Sequence, residues 1–304
     1  MALFEKALEA SVMSTHLLIR ANVSKSILLQ AHKIATDFES RYSAYKEDSF
    51  LNTINANAGK QPTSCTLEDI ALFNTCIEAS KHTLGAFDIT IGSLSHATYH
   101  YGFANETMVS DKQIQEQKKL IDYKNIILKK QSITLEKKGM RLDLGGIGKG
   151  YVAKMIAQFL VKSGATKLLV DVGGEIVTRG KSYTIGLKNP FKEGNLGYIK
   201  TSKEDLSIST SGDYIRFLDS DNHHILDSKE GKSTNYYSSM TIIQNGWDID
   251  LLDAYATACF NQTAQELNIL QKKLHISMVV IDKDAIVSLY NLENLKLDTI
   301  HFVP

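Results

Sequence analysis

Apolar residues recur at helical spacing along several stretches of the chain. Ile27, Leu28, Ala31, Ile34, Ala35 and Phe38 fall on one face, which predicts a helix capped by Ser24 and running to about Tyr42. Leu67 to Leu84 reads as a second helix closed by Gly85. Ser110-Asp-Lys-Gln113 is a capping-box pattern that opens a short polar helix. The clearest stripe is Tyr151, Val152, Met155, Ile156, Phe159 and Leu160, with Gly164 at the expected C-cap. Further helices are predicted over about Leu252–Asn261 and Ala264–Leu274. Between the helices lie short runs of strand character: residues 12–20, Ile126–Leu128, Ile133–Glu136, Met140–Leu144, Leu168–Val172, Ile176–Arg179, Tyr183–Leu187 and Ile276–Ile281. The turn-like Lys-Lys-Gln and Lys-Lys-Gly segments between residues 126 and 144 imply a meander, hence antiparallel pairing. Meanders mixed with separate helices indicate an α+β fold of largely antiparallel sheets with packed helices, rather than a doubly wound one.

Composition narrows the function classes. The 304 residues carry 34 basic and 34 acidic side chains, so no large single-sign field advertises nucleic acid or membrane as a partner. Cys65, Cys76 and Cys259 have spacings that fit neither a metal knuckle nor a disulfide framework. Met1 to Arg20 contains Glu5, Lys6, Glu9, His16 and Arg20 and no apolar core of signal-peptide length. No apolar run approaches the roughly 18 residues that a membrane span needs. These features lead to the expectation of a cytoplasmic protein, or a periplasmic one if a leader has been removed.

Three constellations could carry chemistry. Asp143-Leu-Gly-Gly-Ile-Gly-Lys-Gly150 joins a predicted strand to the clearest helix. Glycines let a polyanion approach the backbone, the helix start offers unpaired N–H groups, and Lys149 adds a mobile cation. Asp143 could bind a metal, bind a ligand donor or cap the helix, and the run could equally be a tight turn that only packs. It is not a P-loop, because Asp143 stands where the first glycine belongs and Gly150 follows the lysine. It is not a dinucleotide fingerprint, because Tyr151 takes the third glycine's place, although Asp171 ends the next strand as a ribose-binding acid would. Asp253 and Thr257 share a helix face and could offer oxygens to a hard cation such as magnesium, or serve only the helix dipole and a local bond. In His223-His-Ile-Leu-Asp227, a histidine could act as a general base, but two neighbours cannot both face one site from a strand.

Taken in order, these pieces resemble the ApbE family, the FAD:protein FMN transferases. Val12-Met-Ser-Thr15 is similar to the family's opening Met-Gly-Thr. Tyr42-Ser-Ala-Tyr45, Asp48-Ser49 and Leu51 to Asn55 resemble its Ser-x-Tyr…Ser…Leu-Asn segment. Gly85-Ala-Phe-Asp-Ile-Thr90 matches Gly-x-Phe-Asp-x-Thr, and Asp143–Tyr151 matches Asp-Leu-Gly-Gly-x-x-Lys-Gly-Tyr, the most specific element. Val172-Gly-Gly174, Thr210-Ser-Gly-Asp-Tyr214, His224-Ile-Leu-Asp227 with Gly231, and Asp253-Ala-x-Ala-Thr257 follow.

The resemblance implies a T-fold-like single domain over residues 1–304 with its active site in a cleft between two subregions. It implies magnesium-dependent transfer of FMN from FAD to a Thr or Ser hydroxyl of an acceptor flavoprotein, with release of AMP. By match to the motifs, Met13, Tyr45, Ala86, Phe87, Asp88, Asp143, Lys149 and Ile225 would line the FAD site. Asp253, Thr257 and the backbone oxygen of Gly146 would hold magnesium, and His224 would be the base. Two departures stand out. Ser14 sits where glycine is usual. Ser228 replaces a proline, and a second expected proline near Ser233 or Thr234 is also missing, which implies a loop more mobile than the family's or set for another acceptor. The alternatives are an FAD pyrophosphatase yielding FMN and AMP, and a non-catalytic FAD carrier.

Overall fold

The computed structural model describes residues 4–103, 106–107, 109–213 and 223–303. The chain opens with a hairpin, β1 (Lys6–Val12) and β2 (Thr15–Ala21), followed by α1 (Lys25–Tyr42) and α2 (Phe50–Ala56). Next come β3 (Thr63–Ser64), α3 (Leu67–His82), the single turn α4 (Gly92–Ser95), α5 (Asp111–Lys118) and the hairpin β4 (Ile126–Lys129) and β5 (Ser132–Leu135). The central helix α6 (Gly148–Lys162) leads to β6 (Leu168–Val172), β7 (Glu175–Arg179), β8 (Thr184–Lys188), β9 (Asn195–Thr201) and β10 (Leu206–Gly212). The chain then forms β11 (Tyr237–Asn245), α7 (Ile249–Phe260), α8 (Ala264–Leu274), β12 (Ser277–Asp282), β13 (Val287–Tyr290) and β14 (Leu297–Phe302).

One antiparallel sheet of eight strands, in the order β1-β2-β6-β7-β10-β11-β12-β13, forms the middle layer. Both of its faces are covered. Leu168, Val170, Val172, Val177, Met240, Ile242, Met278 and Val280 join the core under the helices, whereas Leu169, Ile176, Ile208, Ile243 and Val279 point the other way. This is the period-2 alternation of a strand applied twice. The second face is closed by Ile185, Leu187 and Ile199 from a small sheet ordered β14-β9-β8. A third sheet, β3-β5-β4, lies beside α2 and α3. The antiparallel α+β expectation therefore holds. No helix among the described residues is long and apolar enough to cross a membrane.

Helices α1, α3, α5 and α8 start where a side chain satisfies one of their first N–H groups. Ser24 accepts from Ile27, and Thr66, Ser110 and Thr263 each form a capping box. Two expectations about strands require correction. The run 12–20 is not one strand, because Met13 and Ser14 turn the chain with φ of 53° and 58°. Such a turn normally announces itself by Asn-Gly or Gly, and neither is present. Residues 140–144 pair with no ladder beyond one parallel bridge, Ile91 to Arg141. Their N–H groups go elsewhere: Leu142 to Asn55 Oδ1 at 2.7 Å, Arg141 to Ser93 Oγ at 3.2 Å and Asp143 to the Ile89 carbonyl at 2.8 Å. Gly92 permits this closeness, since a Cβ there would lie 2.6 Å from the Arg141 carbonyl oxygen.

Candidate active site

The helices α6 and α7 cross at the glycine-rich run. A Cβ on Gly150 would sit 2.4 Å from the Ile249 carbonyl oxygen and 2.9 Å from Asp253 Cβ. A Cβ on Gly146 would meet Thr257 Oγ1 at 2.9 Å, and one on Gly148 would meet Met13 Cε at 3.3 Å. The space freed by these three glycines is thus taken up by the protein itself. The helix N-terminus is also claimed from within: the Gly150 N–H donates to Asp253 Oδ2 at 2.9 Å. A carboxylate is the group that a helix start attracts, and α7 supplies it.

Lys149 was expected to be a mobile cation and is instead held. Its Nζ lies 2.7 Å from Glu175 Oε1 and 3.2 Å from Asp253 Oδ1, and both carboxylates are buried. Burial alone would lower the lysine pKa, but the two carboxylates outweigh it and hold the ammonium charged. Burial, reinforced by Asp253, pushes the Glu175 carboxyl up.

Asp143 resolves its three readings differently. One oxygen accepts the Gly145 N–H at 2.8 Å. The other takes the Ser95 hydroxyl at 2.8 Å and His96 Nε2 at 2.9 Å. Burial opposes its charge, yet the His96 ring and these donors keep its pKa below the usual carboxylate range. Asp88 binds the Thr90 N–H and hydroxyl at 2.8 and 2.7 Å and the Tyr123 N–H at 2.7 Å, and burial still pushes it up to about 6.

These groups surround a cleft of about 370 Å³. Met13, Tyr45, Ala86, Phe87, Asp88, Asp143, Gly146, Lys149, His224, Ile225, Asp253 and Thr257 all line it, so the structure brings the residues that the family motifs assign to the site to one place. Met13 is fixed by its N–H to Glu39 Oε2 at 3.0 Å. Tyr45 is 42% exposed, its ring centroid 4.8 Å from that of His96 and 5.0 Å from that of Phe103. Thr210 and Gly173 also reach the wall, while Tyr214 of the Thr210 motif lies outside the described residues.

The adjacent histidines have different surroundings. His223 is buried, with Nε2 2.8 Å from the Thr234 carbonyl and Nδ1 accepting the Ile225 N–H at 3.2 Å. Burial lowers its pKa, so it stays neutral and structural. His224 faces the cleft. Ser228, where the family has proline, is bonded across to the neighbouring wall. Its hydroxyl donates to the Gly85 carbonyl at 2.5 Å with the Ala86 carbonyl at 3.2 Å, tying this loop to the Gly85–Asp88 wall. Asp171 accepts the Gly174 N–H at 2.8 Å and closes the β6–β7 turn, away from the cleft lining.

Two residues escaped the sequence reading. Glu175 carried a usable signal, a lone acid two residues before Val177 on a strand whose neighbours are apolar. His96 carried none: only the fold sets it against Asp143.

The chain belongs to the ApbE family, whose model matches residues 12–280. Among curated relatives, an FAD:protein FMN transferase of Klebsiella pneumoniae is 31% identical over 212 residues, covering 68% of this chain and 66% of the relative. One of Treponema pallidum, with the same description, is 29% identical over 243 residues, covering 72% and 66%. The chain thus spans just under two thirds of the length of these relatives. The crystal structure of an ApbE protein from Thermotoga maritima superposes with a TM-score of 0.87 at 23% identity, covering 97% of this chain and 100% of that one. The flavin transferase ApbE from Vibrio cholerae gives 0.82 at 20% identity, covering 94% and 96%. At such identities the two structures speak for the fold.

Proposed function

We propose that the cleft binds FAD with a magnesium ion and transfers the FMN half to a Thr or Ser hydroxyl of an acceptor flavoprotein, releasing AMP. One observation carries this reading: the Gly85–Asp88, Asp143–Lys149, His224–Ile225 and Asp253–Thr257 segments, far apart in sequence, converge on one cleft. Family membership and the activity named for the curated relatives support it.

The residues fit a hard cation. Asp253 and Thr257 are one turn apart on α7, Gly146 lies against the Thr257 hydroxyl, and all three line the cleft. Magnesium held by Asp253, Thr257 and the Gly146 carbonyl would neutralise the pyrophosphate and stabilise AMP as it leaves. Tyr45 offers an exposed aromatic face to a flavin or adenine ring. His224 takes the proton of the acceptor hydroxyl while that oxygen attacks the FMN-side phosphorus in line. A new P–O bond forms to the acceptor as the bridging P–O bond to AMP breaks. His223, held neutral behind it, fixes the start of the loop that carries His224 and Ile225.

The test is incubation with FAD, magnesium and candidate acceptors, followed by a denaturing gel. Flavin fluorescence at the acceptor's mass is the expected result. Free FMN and AMP with an unlabelled acceptor would mean hydrolysis, and recovery of intact FAD would mean a carrier.

A further inference from the structure

Glu175 belongs to no motif singled out from the sequence, yet it is the closer of the two acids holding Lys149, at 2.7 Å against 3.2 Å for Asp253. It lies on β7 on the same face as Val177, turned toward α6 and α7, and is wholly buried. Its second oxygen has no hydrogen-bond partner; the Ser209 hydroxyl lies near without completing a bond. A buried acid left half-satisfied costs stability and requires a reason to be there.

The reason lies in what surrounds Asp253. One of its oxygens is occupied by the Gly150 N–H and the other by the Lys149 ammonium. A divalent cation arriving at Asp253 and Thr257 would meet that ammonium on the same carboxylate, and like charges at such distances in a buried site repel strongly. Lys149 can yield Asp253 only if another buried anion receives it. Glu175 already has it in the nearer contact.

We propose that Glu175 is a positioning residue for the metal site: it draws Lys149 off Asp253 and so frees that carboxylate for a divalent cation. The inference rests on the reading of Asp253, Thr257 and Gly146 as that site.

The experiment titrates Mn²⁺ alone into the whole chain and reads free metal by electron paramagnetic resonance, for wild type, Glu175→Gln, Lys149→Met and the double variant. Glu175→Gln should weaken binding about tenfold or more, because Lys149 then pairs with Asp253 alone. Lys149→Met should bind more tightly than wild type. In the Lys149→Met background, Glu175→Gln should have little further effect, since the competitor is gone; this non-additivity separates the role from simple loss of charge. An equal loss in both backgrounds, or no loss in Glu175→Gln, overturns the proposal. Should Glu175→Gln fail to fold, Lys149→Met carries the test, and weaker binding than wild type overturns it. No Mn²⁺ binding by the wild-type chain would remove the metal reading and this role with it. Wild-type binding that Glu175→Gln leaves unchanged removes only the role of Glu175.

Discussion

Asp143 and Lys149 stand six residues apart in one glycine-rich run, and the fold holds them by different means. Asp143 is fixed by its own loop through Gly145 and by Ser95 and His96 of the neighbouring wall. Lys149 is fixed by Glu175 and by Asp253, 104 residues downstream. The first end is a set of hydrogen bonds around one carboxylate. The second is a buried ion cluster that joins α6, α7 and β7. Losing a partner therefore strands a charge in the second and mainly unties a loop in the first.

The largest effect should come from the ion cluster. Asp253→Ala leaves Lys149 and the Gly150 N–H short of a partner, and denaturant unfolding should show a loss of about 3 kcal/mol. Asp143→Ala should cost about 2 kcal/mol, because the buried Ser95 hydroxyl and the buried His96 ring lose their partner. If the two losses were equal, the contrast between the ends of the run would fail.

The opposite wall responds more weakly. Burial pushes the Asp88 carboxyl up to about 6 from its ordinary 3.8, so the folded state binds its proton more readily than the unfolded state does. Its burial penalty is present at neutral pH and is relieved as pH falls through 6. Urea midpoints should therefore shift in favour of wild type over Asp88→Asn by roughly 1 kcal/mol between pH 7 and pH 5. A constant gap would mean that Asp88 titrates as an ordinary surface acid. Ser228→Ala should cost about 1 kcal/mol by freeing the Gly85 carbonyl, and should loosen the loop, as protease accessibility would report.

The smallest change concerns the turn that the pattern concealed. Ser14 holds a φ of 58°, a conformation natural to glycine. Ser14→Gly should be neutral or stabilising by up to about 1 kcal/mol in thermal unfolding, and a clear loss would show that the Ser14 side chain does more than line the cleft.

How far the sequence exposes this architecture follows from where each signal resides. Helices α1, α3 and α6 declare themselves because a stripe of apolar residues and a capping serine, threonine or glycine lie within one short window. Strand β10 hides: its apolar-polar alternation, Leu206-Ser-Ile-Ser209, lasts only four residues before Thr210-Ser-Gly212, and its first two serines are buried as deeply as its apolar residues. The motifs placed all twelve candidate residues on the cleft, but only as family positions. What Asp143 and Lys149 touch depends on His96, Glu175 and Asp253, which tertiary structure alone delivers. The same limit hides which neighbours Gly150, Gly146 and Gly148 make room for, namely Ile249, Thr257 and Met13.

The central claim is that this cleft, through Asp253 and His224, moves FMN onto a protein hydroxyl. Mass spectrometry of an acceptor incubated with FAD and magnesium tests it most directly. The account predicts an FMN adduct on a Thr or Ser with the wild-type chain and no adduct with Asp253→Asn. His224→Ala should bind FAD normally but form adduct far more slowly. Adduct formation undiminished in both variants would contradict it.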